Sequence, residues 1–438
     1  MDPVILTIVM FASLLLLMIA GMPLAFALGV VATAIVMLLW GPGGIDMLFH
    51  SLFDVSHSFC LAAIPPFLFM GIVLQKSGIG EELFDMVYRL MGGVSGGLAL
   101  GVVVICALFA AMVGLSGPAT IAMGLIALPT MLKHGYDKRL VTGTIQAGGS
   151  LGVLIPPSVG FIMYAFLASQ STGRMFAAGV FPGLLLVVLF MLYIFIRCHF
   201  QPHMGPPVPA EERSNWLEKL KSLKAVILPA LLIFIVLGFI IFGVTSPTEA
   251  AAIGGIGALV VAAIHRTLSW KVLKEAVLST GKLMGMIMWI QFTAVAFSKI
   301  YQGLGTQKMI EGFVASAGLS PMVVIILMLF TLIIFGMLLD QTAICFLTIP
   351  LFTPIVMELG FDLVWFGVLF QLCMEMGYIT PPFGWNLFYM KAIVPPEITM
   401  GDLYMSIIPF TGLMILGLAI VVMFPQIALW LPNLLFGT

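Results

Sequence analysis

Apolar stretches of membrane-spanning length follow one another along almost the whole chain, and only one connector, 201–223, is both long and polar. A bilayer-crossing helix needs about 20 apolar residues. Charged residues make up 8% of the chain and hydrophobic ones 61%, against roughly 25% charged in a soluble domain. A water-soluble fold could not cover its surface from this composition, which excludes soluble enzymes and nucleic-acid binders. The chain reads as an all-α polytopic membrane protein. Candidate spans lie near 3–19, 22–40, 59–75, 138–168, 176–198, 224–243, 248–266, 276–302, 362–391 and 403–431, about ten in all. The segments 41–58 and 76–95 read as loops. No basic region precedes the first apolar run, so the first span is expected to be retained rather than cleaved.

Two further apolar blocks, 97–131 and 320–356, are too long for one span and too polar at their middles for two. They read as re-entrant helical hairpins. If 97–131 returns to the side it entered from, one face collects Lys76, Arg89, Lys133, Lys138, Arg139, Arg197, Arg213, Lys219, Lys221, Lys224, Arg266, Lys271 and Lys274. The other face keeps Arg174 and Lys308. The positive-inside rule then puts the first face in the cytoplasm and both chain ends outside. The connector 201–223 opens with a proline-rich stiff linker and continues as a short amphipathic helix for the membrane surface.

The two halves repeat each other. Pro129, Asp137, Gly152, Pro156–Pro157 and Tyr164 recur as Pro354, Asp362, Gly377, Pro381–Pro382 and Tyr389, all at one offset of 225 residues. The matched loops differ in charge: the first carries Lys133, Lys138 and Arg139, the second Glu358 and Asp362 without a base. The repeats are therefore expected to be inverted, an arrangement typical of secondary transporters whose sites sit at the bilayer midplane. The organisation expected is an N-terminal half (1–200) with a hairpin at 97–131 and a broken helix at 138–168, the linker 201–223, and a C-terminal half (224–438) with a hairpin at 320–356 and a broken helix at 362–391.

A proline pair unwinds a helix and leaves carbonyls without partners, which is costly in lipid unless something satisfies them. A hard cation such as Na⁺ takes such oxygens. Pseudo-symmetry gives two candidate cation sites. The first uses Ser116, Gly117 and Thr120 from GLSGPAT with Gly152, Val153 and Pro156. The second uses Gly336, Asp340 and Thr342 from FGMLLDQTA with Gly377, Thr380 and Pro381. An anionic substrate is expected between the hairpin tips, with Ser116, Asp340, Ser158 and Asn386 as candidate contacts. Glu375, an ionisable residue on the approach to the second break, has a proton-carrying or ion-pair role as its functional reading. Lys282 and Lys299 read as members of structural ion pairs or as lysines snorkelling to the interface. The five cysteines and six histidines show no metal spacing, and no nucleophile pair points to an enzyme.

AIPPFLFMG (63–71), GLSGPAT (114–120), LGVLIPPSVGFIMY (151–164), MFAAGVFPGLL (175–185), FGMLLDQTA (335–343) and GYITPPFGWNLF (377–388) together resemble the large membrane subunit of TRAP transporters, the tripartite ATP-independent periplasmic carriers. The resemblance covers nearly the whole chain. It implies the ion-transporter superfamily fold, in which a transport domain of hairpins and broken helices moves as an elevator against a scaffold of outer helices. It also implies a sodium-driven importer of organic anions, usually carboxylates, in the bacterial inner membrane. A soluble periplasmic binding protein would deliver the substrate, a small four-helix membrane subunit would enlarge the scaffold, and Na⁺ would be the coupling ion with no covalent cofactor. The chain departs from the family pattern at Gly117–Pro118, where small hydroxyl residues are frequent, and around the second break at Glu375 and Trp385–Asn386. A self-contained carrier, or one driven by protons through Glu375 or Asp340, is the alternative.

Overall fold

A computed structural model describes residues 3–305, 312 and 318–437; Lys308 lies outside them. Every regular element among the described residues is helical. In chain order the helices are α1 (Pro3–Ile19), α2 (Leu24–Leu39), α3 (Ile45–Ser56), α4 (Ile64–Gln75), α5 (Ile79–Met91), α6 (Gly97–Val113), α7 (Ser116–Lys133), α8 (Lys138–Ser150), α9 (Val159–Leu167) and α10 (Thr172–Phe200). The second half has α11 (Trp216–Ser222), α12 (Lys224–Ile241), α13 (Pro247–Ile264), α14 (Trp270–Gly303), α15 (Pro321–Leu338), α16 (Gln341–Glu358), α17 (Leu363–Ile379), α18 (Trp385–Lys391), α19 (Met400–Met423) and α20 (Gln426–Phe436). By length and composition, seven described helices can each cross a bilayer, or eight if the pair Pro42–Ser56 and Leu61–Gln75, bent by 54°, counts as one.

Three segments differ from the sequence reading. The stretch 41–58 is mostly the helix α3, packed on α14. The stretch 76–95 holds α5, which buries Ile79, Leu83, Phe84, Met86 and Val87 on one face and exposes Glu81, Glu82 and Asp85. The block 403–431 is two helices. Phe424 precedes a proline and leaves the helical region (φ −125°, ψ 75°), and Pro425 starts α20, as the steric clash between a proline ring and the residue before it demands.

The repeat has a local physical cause. Asp137 and Asp362 are both N-caps: the first accepts from the amides of Arg139 and Leu140, the second from those of Val364 and Trp365. Each starts the first arm of a broken helix and satisfies amides that have no partner inside it. The breaks follow the proline pairs. After α8 comes a short 3₁₀ turn at Leu151–Val153, then the cis Pro156–Pro157 bond, then α9. After α17, Thr380 turns extended and the cis Pro381–Pro382 bond precedes α18. The blocks 97–131 and 320–356 are helix–turn–helix pairs. Gly114, at φ 68°, and the extended Leu115 reverse the chain between α6 and α7. The extended Leu339 and the N-cap Asp340 reverse it between α15 and α16.

Both ends of the α6–α7 pair lie together under the connector. The Leu98 amide donates to the Tyr136 hydroxyl at 3.2 Å. The amides of Gly96 and Asp137 donate to the carbonyls of Gly205 and Met204 at 2.8 and 2.9 Å, and Val208, itself buried, donates to Gly92 at 2.7 Å. Tyr88 donates to Glu212 at 2.7 Å, and His134 Nε2 lies 3.2 Å from the same carboxylate. Burial pushes the Tyr88 hydroxyl up to about 12, with Glu212 adding to the rise. The Tyr88 and His134 hydrogen bonds hold Glu212 below the usual carboxylate range. The sign is the same at both ends of the pH scale: the tie is at full strength between the ordinary carboxylate and tyrosine ranges. It weakens as acid protonates Glu212 and as alkali ionises Tyr88.

The 34-residue α14, about 51 Å long at 1.5 Å per residue, measures the molecule from end to end. Its start pairs with the connector end, where Glu275 meets Lys76 at 2.7 Å. Its far part carries Lys299, which forms an ion pair with Asp54. Near its end Gln302 shares a groove with Glu358. Ser222, beside Glu81 and Glu82, and Gly360 therefore stand at opposite ends. Cysteines placed at these two positions, in a background lacking the half-buried Cys60, are expected to label from opposite sides of sealed membranes with an impermeant thiol reagent. Labelling from one side would refute the arrangement.

Candidate functional site

The two chain reversals meet. A cavity of about 290 Å³ lies between them, with Ser116 and Gly117 on one wall, Asp340, Gln341 and Thr342 on another, and Tyr378 and Tyr389 beside them. Helices α7 and α16 both begin at this cavity, so the partial positive charge of two helix N-termini is directed towards it.

The repeats pack crosswise around it. Helix α7 of the first half packs on α18, the second arm of the other half's broken helix, and α16 packs on α9, the second arm of the first half's. Named bonds fix the first crossing, and close packing marks the second. Ser116 Oγ donates to Asn386 Oδ1 at 2.8 Å, and Asn386 Nδ2 donates to the Gln146 carbonyl at 3.0 Å. Gln341 Nε2 donates to Gln371 Oε1 at 2.7 Å, and a side chain at Gly160 would strike both glutamines. The first tip is thus bonded to the opposite repeat, and the second, bonded within its own half, packs against the opposite repeat at Gly160.

The structure brings the first predicted set together. The tip at Leu115–Ser116 lies on Gly152, where no side chain would fit, and the Val159 amide donates to the Gly114 carbonyl at 3.3 Å. Thr120 is buried behind the tip and donates to the Ser116 carbonyl at 3.2 Å. Val153 and Pro156 are buried beside it, and the Val153 carbonyl accepts from Ser158 Oγ at 2.6 Å. In the second set, Gly336 and Gly377 meet back to back: a Cβ on Gly377 would lie 2.7 Å from the Gly336 backbone. Asp340 accepts from the Thr342 amide at 2.9 Å, and both line the cavity. Thr380 donates to the Met376 carbonyl at 2.6 Å, and Pro381 belongs to the break. Among the proposed substrate contacts, Ser116 and Asp340 line the cavity. Ser158 and Asn386 stand behind it, each engaged in the bonds given above. The oxygens gathered here are hydroxyls, carbonyls and one carboxylate, a donor set that suits a hard cation.

Glu375 is fully buried. Its Oε1 lies 3.1 Å from Ser150 Oγ, and its Oε2 has no partner among the described residues. Ser150 and Glu375 are themselves 225 residues apart, so equivalent positions of the two repeats touch at the crossing. Gln146 and Gln371 are another buried pair at the same offset. The repeat spacing could have found both pairs in the sequence. No comparable signal marks Tyr378 or Gln75, which also line the cavity.

Residues 11–427 match the family model of the tripartite ATP-independent periplasmic transporter, DctM component. The chain belongs to this family. It is 35% identical over 402 residues to the C4-dicarboxylate TRAP transporter large permease protein DctM of Pseudomonas aeruginosa, covering 91% of this chain and 92% of that one. It is 31% identical over 379 residues to the ectoine/5-hydroxyectoine TRAP transporter large permease protein UehC of Ruegeria pomeroyi, covering 86% and 87%. The Alcanivorax borkumensis YdaH transporter shares the fold, with a TM-score of 0.63 at 18% identity over 91% of this chain and 95% of that one. This DctM-family chain is thus a multi-pass TRAP large permease, and its relatives are transporters rather than enzymes.

The glycine contact behind the second tip is testable in the TRAP permease. Replacing Gly377→Ala forces the α15 and α17 backbones apart, an overpacking cost of about 1–3 kcal/mol. The expected result is a lower melting temperature of the purified protein. A variant that melts with the parent would show that the two helices do not pack this closely.

Proposed function

We propose that this permease imports an organic anion, a carboxylate, by coupling its entry to sodium. A soluble periplasmic binding protein delivers the substrate, and a small four-helix membrane subunit completes the complex in the bacterial inner membrane. One observation carries the reading: two helix N-termini and the side-chain oxygens of Ser116, Asp340 and Thr342 converge on a single cavity between the tips. The helix ends favour the anion, while Asp340, Thr342, Ser116, Thr120 and the carbonyls freed at the breaks offer ligands to Na⁺. A cation bound there neutralises Asp340 and prepares the cavity for a carboxylate. The names of the relatives, which concern C4-dicarboxylates and ectoines, support small organic acids and zwitterions as the substrate class.

The hairpins and broken helices, interlocked crosswise, form the body that moves. The helices α2, α4, α13 and α14, which pack with one another, form the scaffold of an elevator. The linker end, rich in Lys and Arg, faces the cytoplasm, and both termini face the periplasm.

Reconstitution with the small subunit and the cognate binding protein tests this. Uptake is expected to require sodium and the binding protein together. Uptake that persists without the binding protein, or without sodium at constant pH, favours the self-contained or proton-coupled alternative. Replacing Asp340→Ala is expected to abolish sodium-dependent uptake, or cut it more than about tenfold, since a lost charge-assisted ligand is worth about 1.5–3 kcal/mol, while circular dichroism stays unchanged. Unaltered sodium dependence would remove Asp340 from the cation site.

The proton-coupled alternative centres on Glu375. Ser150 has a single hydroxyl proton, and its oxygen lies 2.7 Å from the Ala147 carbonyl but 3.1 Å from Glu375. A neutral Glu375 satisfies this geometry: Ser150 donates to Ala147, and the carboxylic acid donates to Ser150. An amide can make the same bond. Replacing Glu375→Gln is therefore expected to leave the pH profile of uptake unchanged. A flattened profile would make Glu375 a proton carrier and favour the alternative.

A further inference from the structure

The lining of the cavity contains no Lys, Arg or His, and most of its polar side chains are already engaged within the protein. Ser116 is bonded to Asn386, Gln341 to Gln371, Asp340 to the Thr342 amide, and Gln75 Nε2 to the Pro118 carbonyl at 3.4 Å. The phenol hydroxyls of Tyr378 and Tyr389 line the same space and make no hydrogen bond to any described residue. A phenol is a good neutral donor, and a hydroxyl at the cavity wall that no protein group engages is free to donate to a ligand.

Tyr389 has a second feature. It lies three residues after Asn386 on α18, so the two share a face of the helix, and both grip the tip of the first hairpin. Asn386 takes the Ser116 hydroxyl, and the Tyr389 ring lies over Gly117. A Cβ on Gly117 would lie 2.8 Å from ring atom Cε2, 3.2 Å from Cζ and 3.4 Å from the hydroxyl oxygen. The missing side chain at 117 is the room that the ring occupies. Any larger residue at 117 must push the ring away and move its hydroxyl.

We propose that Tyr389 is a substrate-binding and specificity-determining residue of this permease: its ring fills the space above Gly117, and its hydroxyl donates to an oxygen of a compact organic acid in the cavity. The inference rests on the carboxylate reading given under Proposed function and adds to it the group that contacts the substrate. Recognition then comes from a neutral phenol donor rather than from an ion pair. A cavity of this size, with apolar walls such as Met163, Met286 and Ile287, selects for a small molecule with few unmatched polar groups. Gly117 and Tyr389 act as a unit, since the residue at 117 sets where the hydroxyl stands.

The test uses the reconstituted complex with its binding protein and a labelled panel of succinate, malate, pyruvate, gluconate and N-acetylneuraminate, all driven by sodium. The acid that the parent takes up best becomes the probe. Tyr389→Phe keeps the ring and removes the hydroxyl. The expected result is a KM for the probe raised about fivefold to tenfold, the worth of one hydrogen bond, with the half-saturating sodium concentration unchanged. Gly117→Ser is expected to raise KM in the same way and to reorder the panel. Parental KM and parental ranking in both variants would overturn the proposal. A shift in sodium half-saturation with KM unchanged would also overturn it, by moving Tyr389 to the cation site. A parent that takes up none of the five acids with sodium defeats the carboxylate reading itself, an outcome distinct from a failure confined to the variants.

Discussion

A helix interrupted inside a bilayer has to find partners for the amides and carbonyls it gives up, because no water is there to supply them. This chain interrupts its helices at two proline pairs and two tight reversals, and it answers all four by the same device. Each tip of one repeat is laid against a break or a second arm of the other. Ser116 of the first repeat meets Asn386 of the second, and α16 of the second packs on α9 of the first at Gly160. The first tip also bonds within its own half, through the Val159 amide and the Gly114 carbonyl. The result is a block in which neither repeat is complete alone. Glycines at 152, 160, 336 and 377 allow the backbones to come this close, and the cavity is what remains where the tips do not quite touch.

One tie between the block and the rest of the chain lies at the connector end. The connector runs across both ends of the α6–α7 pair and is fixed there by bonds that include those to Gly92, Gly96, Tyr88 and Asp137. The amphipathic α5 and the short α11, which is started by a capping box between Asn215 and Glu218, pack on one another at this end.

Much of this was legible in the sequence because the repeat spacing records structural needs. Asp137 and Asp362 recur because each caps a helix, and the proline pairs recur because each ends one. The reversals at Gly114 and Asp340 were readable from polar residues inside apolar blocks. What escaped has equally physical causes. The helix α3 carries Asp46, His50 and Asp54, so its polarity resembles that of a loop. The split at Pro425 falls inside one continuous apolar run, where hydropathy cannot see a change of direction. At the site, Ser158 and Asn386 read as substrate contacts because they are polar residues near the breaks. Their polarity is used to hold the framework, and the residues at the cavity wall include two tyrosines that composition treats as filling. Which face a side chain takes beside a broken helix depends on the local unwinding, and no periodicity encodes that.

The contact between Ser150 and Glu375 sets a limit on how alike the two halves can be. These positions correspond under the repeat, and they touch. Any residue placed at both would face its own copy across the crossing. Two glutamates would set acid against acid in a dry interior, and two serines would leave the space of a carboxyl empty. A serine on one side and a glutamate on the other give unequal partners that fit, so the near-symmetry of the fold is carried here by an asymmetric pair.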